Sequence, residues 1–233
     1  MDFDRLRRNW ENLGKADAMW AILTEPGKEG GRWDEDEFFR TGLDYVAWLG
    51  SWLGLHGIEV PKGDALDFGC GIGRLTQALA PHFTSVTGVD VSAPMVEQAR
   101  QKNRHGERVR YVCNQRPDLS VFADGSFAFV QTAIVLQHMQ PRFALGYLRE
   151  FLRVLRPGGL LFFQIPTGEL VANPAPLAPA LEPEDEKHME MHVTPKADIL
   201  RTLAEAGGRV LREEQDRWAG AFWESHHFAV TKC

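Results

Sequence analysis

The chain has 233 residues, of which 44% are hydrophobic and 25% are charged, and its formal net charge is −6. This composition fits one globular domain with a substantial core. The acidic balance argues against nucleic acid or an anionic membrane surface as a partner, since both would favour a basic face, and it leaves a small molecule as the expected partner.

The N-terminal residues 1–60 have helical and loop patterns and precede the first predicted strand. The opening stretch MDFDRLRRNW lacks the apolar core of a signal peptide, and no apolar run approaches the length needed to span a membrane, so a cytoplasmic location is expected. We predict that residues 1–60 form a helical cap or lid. Large rigid rings can cover a substrate, so the candidate substrate-binding residues are Trp20, Trp33 and Phe38 in this cap, with Trp223 near the C-terminus. The alternative is that these rings belong to the core.

Short apolar runs alternate with helical patterns after residue 60, which predicts a parallel α/β sheet over residues 61–233. The proline-rich, acidic stretch at residues 166–194 predicts a mobile loop or lid inserted after the fifth strand. The seven strand candidates are Ala65 to Phe68, Ser85 to Asp90, Val109 to Cys113, Phe127 to Ile134, Leu160 to Ile165, Arg209 to Glu213 and Phe228 to Thr231.

The turn after the first strand, ALDFGCGIGRL, has glycine at positions 69, 71 and 73. Glycine at this spacing lets the backbone turn sharply and approach a ligand closely. A dinucleotide-binding turn would have its last glycine at position 74, where this chain has arginine. Asp67 would repel a pyrophosphate but could accept hydrogen bonds from an ammonium group or order the loop. The spacing therefore favours S-adenosylmethionine over a dinucleotide, whereas Asp90 at the end of the second strand would suit the ribose of either.

Four segments in this order, LDFGCGIG, VTGVDVSAPMVEQAR, FADGSFAFVQTAIVLQHM and LRVLRPGGLLFF, resemble the successive motifs of the seven-stranded class I methyltransferases that use S-adenosylmethionine. The resemblance runs from about Pro61 to Pro166 and implies a Rossmann-like, doubly wound, mostly parallel seven-stranded sheet with an antiparallel last strand. It also implies S-adenosylmethionine as the cofactor and S-adenosylhomocysteine as its product.

The same resemblance assigns roles to individual residues. The three glycines would pass under the methionine and ribose, Asp90 would bind the ribose hydroxyls, and Val91 and Met95 would flank the adenine. Asn114 and Gln115 stand where such enzymes usually hold an aspartate for the adenine amino group. Arg40 is a candidate for the methionine carboxylate or an acidic substrate. The predicted cofactor-binding set is Asp67, Gly69, Gly71, Gly73, Asp90, Val91, Met95, Asn114, Gln115 and Arg40.

Methyl transfer from a sulfonium requires alignment of the acceptor and exclusion of water, and a hydroxyl or ammonium acceptor also requires a base. His138 follows the fourth strand and is the catalytic candidate, with a structural histidine at a helix entry as the alternative. Three cysteines without zinc-finger spacing give no reason to expect a metal.

The predicted function is transfer of a methyl group from S-adenosylmethionine to a small metabolite at oxygen, nitrogen, sulfur or a carboxylate. Two alternatives remain. One is a module that binds S-adenosylmethionine without catalysis, since no unmistakable base is present. The other is a dinucleotide-dependent oxidoreductase, which Arg74 and the lack of a recognisable Tyr/Lys proton relay disfavour.

Overall fold

The structure is a computed structural model, and it describes residues 2–170 and 189–233. Helices and strands alternate through most of the chain after two long N-terminal helices. The helices are α1 (Phe3–Ile22), α2 (Glu35–Leu55), α3 (Arg74–Leu79), α4 (Ala93–Gln101), α5 (Pro141–Val154) and α6 (Lys196–Glu205). The strands are β1 (Ala65–Phe68), β2 (Val86–Asp90), β3 (Val109–Cys113), β4 (Phe127–Thr132), β5 (Leu155–Glu169), β6 (Gly208–Asp216) and β7 (Trp223–Lys232).

All seven strands form one sheet in the order β3-β2-β1-β4-β5-β7-β6. β1 to β5 pair in parallel, and β7 runs antiparallel to both of its neighbours. This architecture confirms the predicted Rossmann-like sheet with an antiparallel last strand. Because the chain turns from β1 to β2 on one side and returns to β4 on the other, the carboxyl ends of β1 and β4 flank a topological switch point. Ligands bind at such a point in open α/β sheets.

Each face of the sheet is covered by its own apolar cluster. One face packs against α5 and α6 through residues such as Leu148, Phe151 and Leu203. The other face packs against α2, α3 and α4, with Trp52 and Leu53 of α2 in contact with the sheet's apolar side chains. Both faces are therefore buried, as parallel strands require.

The two N-terminal helices differ in what they cover. α2 begins at Asp34, whose carboxylate accepts a hydrogen bond from the Glu37 backbone N–H (2.9 Å), and it buries one face against the sheet. α1 packs mainly over α4 and the carboxyl ends of the strands. The residues predicted as a single cap thus divide into a core helix and a covering helix. Residues 171–188 of the predicted loop insertion at 166–194 lie outside the described residues.

In the described ranges, 2–170 and 189–233, none of the helices combines the length and apolar character needed to cross a membrane.

Candidate active site

A cleft of about 940 Å³, its open mouth included, lies at the carboxyl ends of β1, β2 and β4. Its floor is the glycine-containing turn after β1, and its walls come from the turns after β2 and β4. Helix α1 covers it with the side chains of Phe3, Leu6, Trp10 and Ile22. The cleft therefore lies at the switch point of the sheet and is closed from above by the N-terminal helix.

Backbone hydrogen bonds hold the glycine turn against β2. The N–H groups of Gly69 and Cys70 both donate to the Val89 carbonyl, at 2.8 and 3.1 Å. Gly69 has φ +72°, and a Cβ there would lie within 3.0 Å of the Val135 side chain. A left-handed φ and a close neighbour together explain why only glycine fits at this position.

Asp90 fixes the geometry between this turn and α4. One carboxylate oxygen accepts from the Gly71 N–H (2.8 Å), and the other accepts from the Ser92 N–H (2.8 Å). Burial raises the pKa of the Asp90 carboxyl, and hydrogen bonds from the Ser92, Gly71 and Val91 backbones oppose that rise. The carboxylate lines the cleft at the end of β2, where it offers further acceptor capacity to a ligand.

Asp67 anchors a polar network under the cleft. It accepts hydrogen bonds from Thr76 Oγ1 (2.6 Å) and from the Gln131 amide, and the Tyr45 hydroxyl donates to Gln131 Oε1 (2.9 Å). Burial raises the pKa of Asp67 to about 6, while the Thr76 and Gln131 hydrogen bonds and the nearby Arg74 lower it. The carboxyl is therefore mostly ionised near neutral pH and adds negative charge to the cleft floor.

Arg74 is a buried cation beside this carboxylate. Its Nη1 donates to Thr41 Oγ1 (3.2 Å), whereas its Nε is buried and has no partner among the described residues. Burial lowers the pKa of Arg74 to about 10, so the guanidinium stays charged at neutral pH. Arg74 lines the cleft and is therefore a cation beside any ligand bound there.

Seven of the ten predicted cofactor-binding residues line this cleft, and the other three do not. Gly73 lies at the start of α3, where the Tyr111 ring occupies the space that a Cβ would need. Gln115 is exposed and donates to Glu11 (2.9 Å), and Arg40 is exposed on α2. The residues brought together are Asp67, Gly69, Gly71, Asp90, Val91, Met95 and Asn114.

The structure does not bring the predicted substrate-binding aromatic residues to the cleft. Trp33 and Phe38 are buried in an apolar cluster with their ring centroids 5.6 Å apart, and Trp20 packs at its edge. Trp223 is half-buried at the start of β7, paired with Glu169. The rings of Trp20, Trp33 and Phe38 find apolar neighbours within the N-terminal segment, and this packing explains their positions.

His138, the predicted catalytic residue, lies in a short 3-10 turn after β4 and is not among the residues that line the cleft. Its Nδ1 lies 2.9 Å from the Glu190 carbonyl, which can only accept, so Nδ1 carries the proton. Its Nε2 then accepts from the Gln137 amide (3.2 Å). Burial lowers the pKa of His138 to about 4. The His138 ring is thus uncharged, and both of its nitrogens already take part in hydrogen bonds, one to Glu190 and one to Gln137.

Sequence reasoning missed several residues of the cleft. Phe3, Leu6 and Trp10 point into it from one face of α1, and their spacing of three and four residues is the helical signal that could have identified them. The sequence shows Arg74 directly after the glycine turn, but only the structure shows that it is buried near Asp67 and Tyr45 and lines the cleft.

Comparison with known proteins agrees with this fold. Residues 65–159 match the family model described as a methyltransferase domain. The chain is 29% identical over 153 residues to a 2-methyl-6-phytyl-1,4-hydroquinone methyltransferase of Synechocystis, covering 65% of this chain and 47% of that protein. It is 32% identical over 121 residues to a ubiquinone biosynthesis O-methyltransferase of Xanthomonas campestris, covering 52% of this chain and 46% of that protein. The chain thus spans about half the length of these relatives.

Solved structures share the fold at low sequence identity. A magnesium protoporphyrin IX methyltransferase from Synechocystis, crystallised with S-adenosylhomocysteine, aligns over 100% of both chains with a TM-score of 0.69 and 20% identity. The [4+2]-cyclase SpnF aligns over 85% of this chain and 82% of its own, with a TM-score of 0.60 and 20% identity.

Proposed function

We propose that this chain is a class I S-adenosylmethionine-dependent methyltransferase that transfers a methyl group from S-adenosylmethionine to a small molecule, and the domain match at residues 65–159 and the strand order support this. One observation carries the proposal. One cleft at the switch point of the sheet is lined by the glycine turn, by the Asp90 carboxylate at the end of β2, which can accept hydrogen bonds from a ribose, and by buried Arg74. The Nε of Arg74 has no partner among the described residues. This set matches a ligand that has a ribose, a carboxylate and an ammonium group and carries no phosphate.

The residues fit that ligand in a specific way. The glycine turn admits close approach of the ligand, and Asp90 accepts from ribose hydroxyls. Arg74 would donate to the methionine carboxylate, and the Asp67 carboxylate would favour the ammonium group. The bound sulfonium supplies an activated methyl group. Helix α1 then excludes water from the acceptor, because Phe3, Leu6 and Trp10 cover the cleft with apolar surface.

The names of the relatives support a small acceptor, since the two quoted above are named for quinone-type compounds. The fold alone does not decide that a methyl group is transferred, because SpnF has the same fold and is named as a cyclase. Turnover therefore has to be measured directly, with isotopically labelled S-adenosylmethionine and a metabolite extract. Calorimetry with S-adenosylhomocysteine and NADH separates this proposal from an oxidoreductase, which would bind NADH.

Replacing Asp90 with alanine is expected to lower the affinity for S-adenosylhomocysteine at least tenfold. Hydrogen bonds to a charged group are worth about 1.5–3 kcal/mol each, and about 1.4 kcal/mol corresponds to a factor of ten. Calorimetry on the folded variant measures the change. Asp64→Ala is the matched control, because Asp64 lies just before β1, at the opposite edge of the sheet, and accepts from Ser85 there (2.8 Å). Unchanged affinity in a cooperatively melting Asp90→Ala variant would contradict the placement of the ribose.

Arg74→Gln is expected to weaken S-adenosylhomocysteine binding about tenfold and to leave 5′-methylthioadenosine binding within twofold. The reason is that methylthioadenosine keeps the adenosine part of the ligand but lacks the methionine carboxylate. Arg40→Gln is the comparison variant, because the sequence predicted Arg40 for the same carboxylate and the structure leaves it exposed. If calorimetry shows that Arg40→Gln alone weakens binding, the carboxylate lies towards α2 and Arg74 serves only the fold.

A further inference from the structure

Two buried polar atoms without hydrogen-bond partners among the described residues belong to paired residues of β5 and β7. Gln164 of β5 and His227 of β7 are direct register partners in the antiparallel ladder, so their side chains lie on the same face of the sheet. Both side chains are buried, and neither Gln164 Nε2 nor His227 Nε2 has a hydrogen-bond partner among the described residues. Buried polar groups are normally satisfied, so two adjacent exceptions indicate a missing ligand atom.

The neighbours of each side chain fix its chemical character. Gln164 Oε1 accepts from the Ile134 N–H (3.2 Å), which orients the amide and leaves the NH₂ group as the free donor. His227 Nδ1 lies 3.3 Å from Asp216 Oδ2. The other oxygen of Asp216 accepts from the Trp218 N–H (2.8 Å) and from the Ser225 hydroxyl. Asp216 is thus held as an acceptor, so Nδ1 of His227 carries the proton and Nε2 presents a lone pair.

One donor and one acceptor side by side suit a hydroxyl group. A hydroxyl oxygen can accept from the Gln164 amide while its proton is donated to His227 Nε2. The surroundings are aromatic. Trp48 and Trp218 have ring centroids 5.4 and 5.7 Å from the His227 ring and 4.7 Å from each other, and Tyr45 contacts both tryptophans. Flat rings of this kind favour a planar aromatic group beside the hydroxyl.

The Gln164 side chain is connected to the cleft through Ile134. Ile134, whose N–H holds Gln164, lines the cleft and has φ +61°. A β-branched residue with positive φ is strained, and such strain is concentrated at functional sites. Trp218, in the connection between β6 and β7, packs against the His227 ring and is half-buried.

We propose that the methyl acceptor is an aromatic hydroxyl whose oxygen binds between Gln164 Nε2 and His227 Nε2, with His227 as the base and Asp216 as its positioning residue. The assignment rests on the proposed methyltransferase function. The acceptor oxygen forms a bond to the methyl carbon as the carbon–sulfur bond breaks, and that electron pair stays on sulfur. The hydroxyl proton moves to His227 Nε2, and Asp216 stabilises the resulting imidazolium.

The test is a binding titration of 4-nitrophenol to the full chain saturated with S-adenosylhomocysteine, followed by visible absorbance and tryptophan fluorescence. We expect 4-nitrophenol to bind with the spectrum of a partly ionised phenol and at least tenfold more tightly than 4-nitroanisole, which lacks the hydroxyl. His227→Gln and Gln164→Glu should each remove at least nine-tenths of that preference. Gln164→Glu keeps the oxygen that accepts from the Ile134 N–H and replaces only the NH₂ donor. If the new carboxylate prevents folding, Gln164→Met is used in its place to remove the donor.

His226→Gln is the matched control. His226 is adjacent in β7 but points to the other face, where its Nδ1 lies 2.8 Å from Thr167 Oγ1, and the variant should keep the preference within twofold. Two results would show that the pair holds only a buried water. One is equal binding of 4-nitrophenol and 4-nitroanisole by the unmodified chain, and the other is an unchanged preference for 4-nitrophenol in both site variants. If S-adenosylhomocysteine binds normally in that case, the methyltransferase proposal stands and only the acceptor assignment falls. If the unmodified chain does not bind S-adenosylhomocysteine, both proposals fall together.

Discussion

A truncated chain that begins at Val60 is expected not to fold, whereas one that begins at Thr24 is expected to fold but to bind S-adenosylhomocysteine poorly. The first truncation removes α2, which contributes Val46, Leu49, Trp52 and Leu53 to the apolar cluster on one face of the sheet. Burial of one such side chain contributes about 1.5–3 kcal/mol, so the loss of four approaches the whole stability of an ordinary domain, about 5–15 kcal/mol.

The second truncation removes only α1. This helix buries Leu13 and Ala18 against a small cluster that also contains Met95. It contributes one buried residue, Leu6, to the cluster on the α5 and α6 face of the sheet, so its loss exposes mainly the cleft. Thermal melting and calorimetry distinguish the two truncated chains, with a cooperative melt expected only for the longer one. A cooperative melt of the chain that begins at Val60 would show that α1 and α2 together form a detachable cap, as the sequence alone predicted for residues 1–60.

The comparison of sequence with structure shows which features local patterns encode. β1 and β3 begin and end at the predicted residues, because a short apolar run bounded by turn residues is a local signal. β5 is longer than predicted, running from Leu155 to Glu169. Its start pairs with β4, and its end is defined by antiparallel pairing with β7. That pairing joins residues far apart in the chain, and no local pattern reports it.

The candidate site divides in the same way. The turn at residues 69–73 and Asp90 could be located from the sequence, because their spacing reflects backbone geometry within one strand–turn–helix unit. The position of Phe38 could not, since it depends on which face of α2 meets its neighbours, and Trp33, just before α2, packs against the Phe38 ring. The pairing of Gln164 with His227 depends on the β5–β7 register, and the free donor of Arg74 depends on tertiary burial.

Gly42→Ala is expected to destabilise the domain by about 3 kcal/mol, the upper end of the usual cost of overpacking. Gly42 lies on the buried face of α2, and a Cβ there would lie within 3.0 Å of the Arg74 carbonyl oxygen at the start of α3. A backbone carbonyl at a helix start cannot move aside as a flexible side chain would, so α2 and α3 must separate. The melting temperature should fall by about 6–12 °C, since about 1 kcal/mol shifts a domain of this size by about 2–4 °C.

Gly50→Ala on the same helix is the matched control, and it is expected to raise the stability of the domain where Gly42→Ala lowers it. Gly50 is exposed, and nothing lies within 4 Å of the position a Cβ would take. Alanine should therefore stabilise the domain by about 0.5–1 kcal/mol, because alanine loses less backbone entropy than glycine when the helix forms. Because Arg74 also lines the cleft, Gly42→Ala should weaken S-adenosylhomocysteine binding and Gly50→Ala should not. If both substitutions raise the melting temperature, α2 does not pack this closely on α3, and the position of Arg74 in the cleft loses its structural basis.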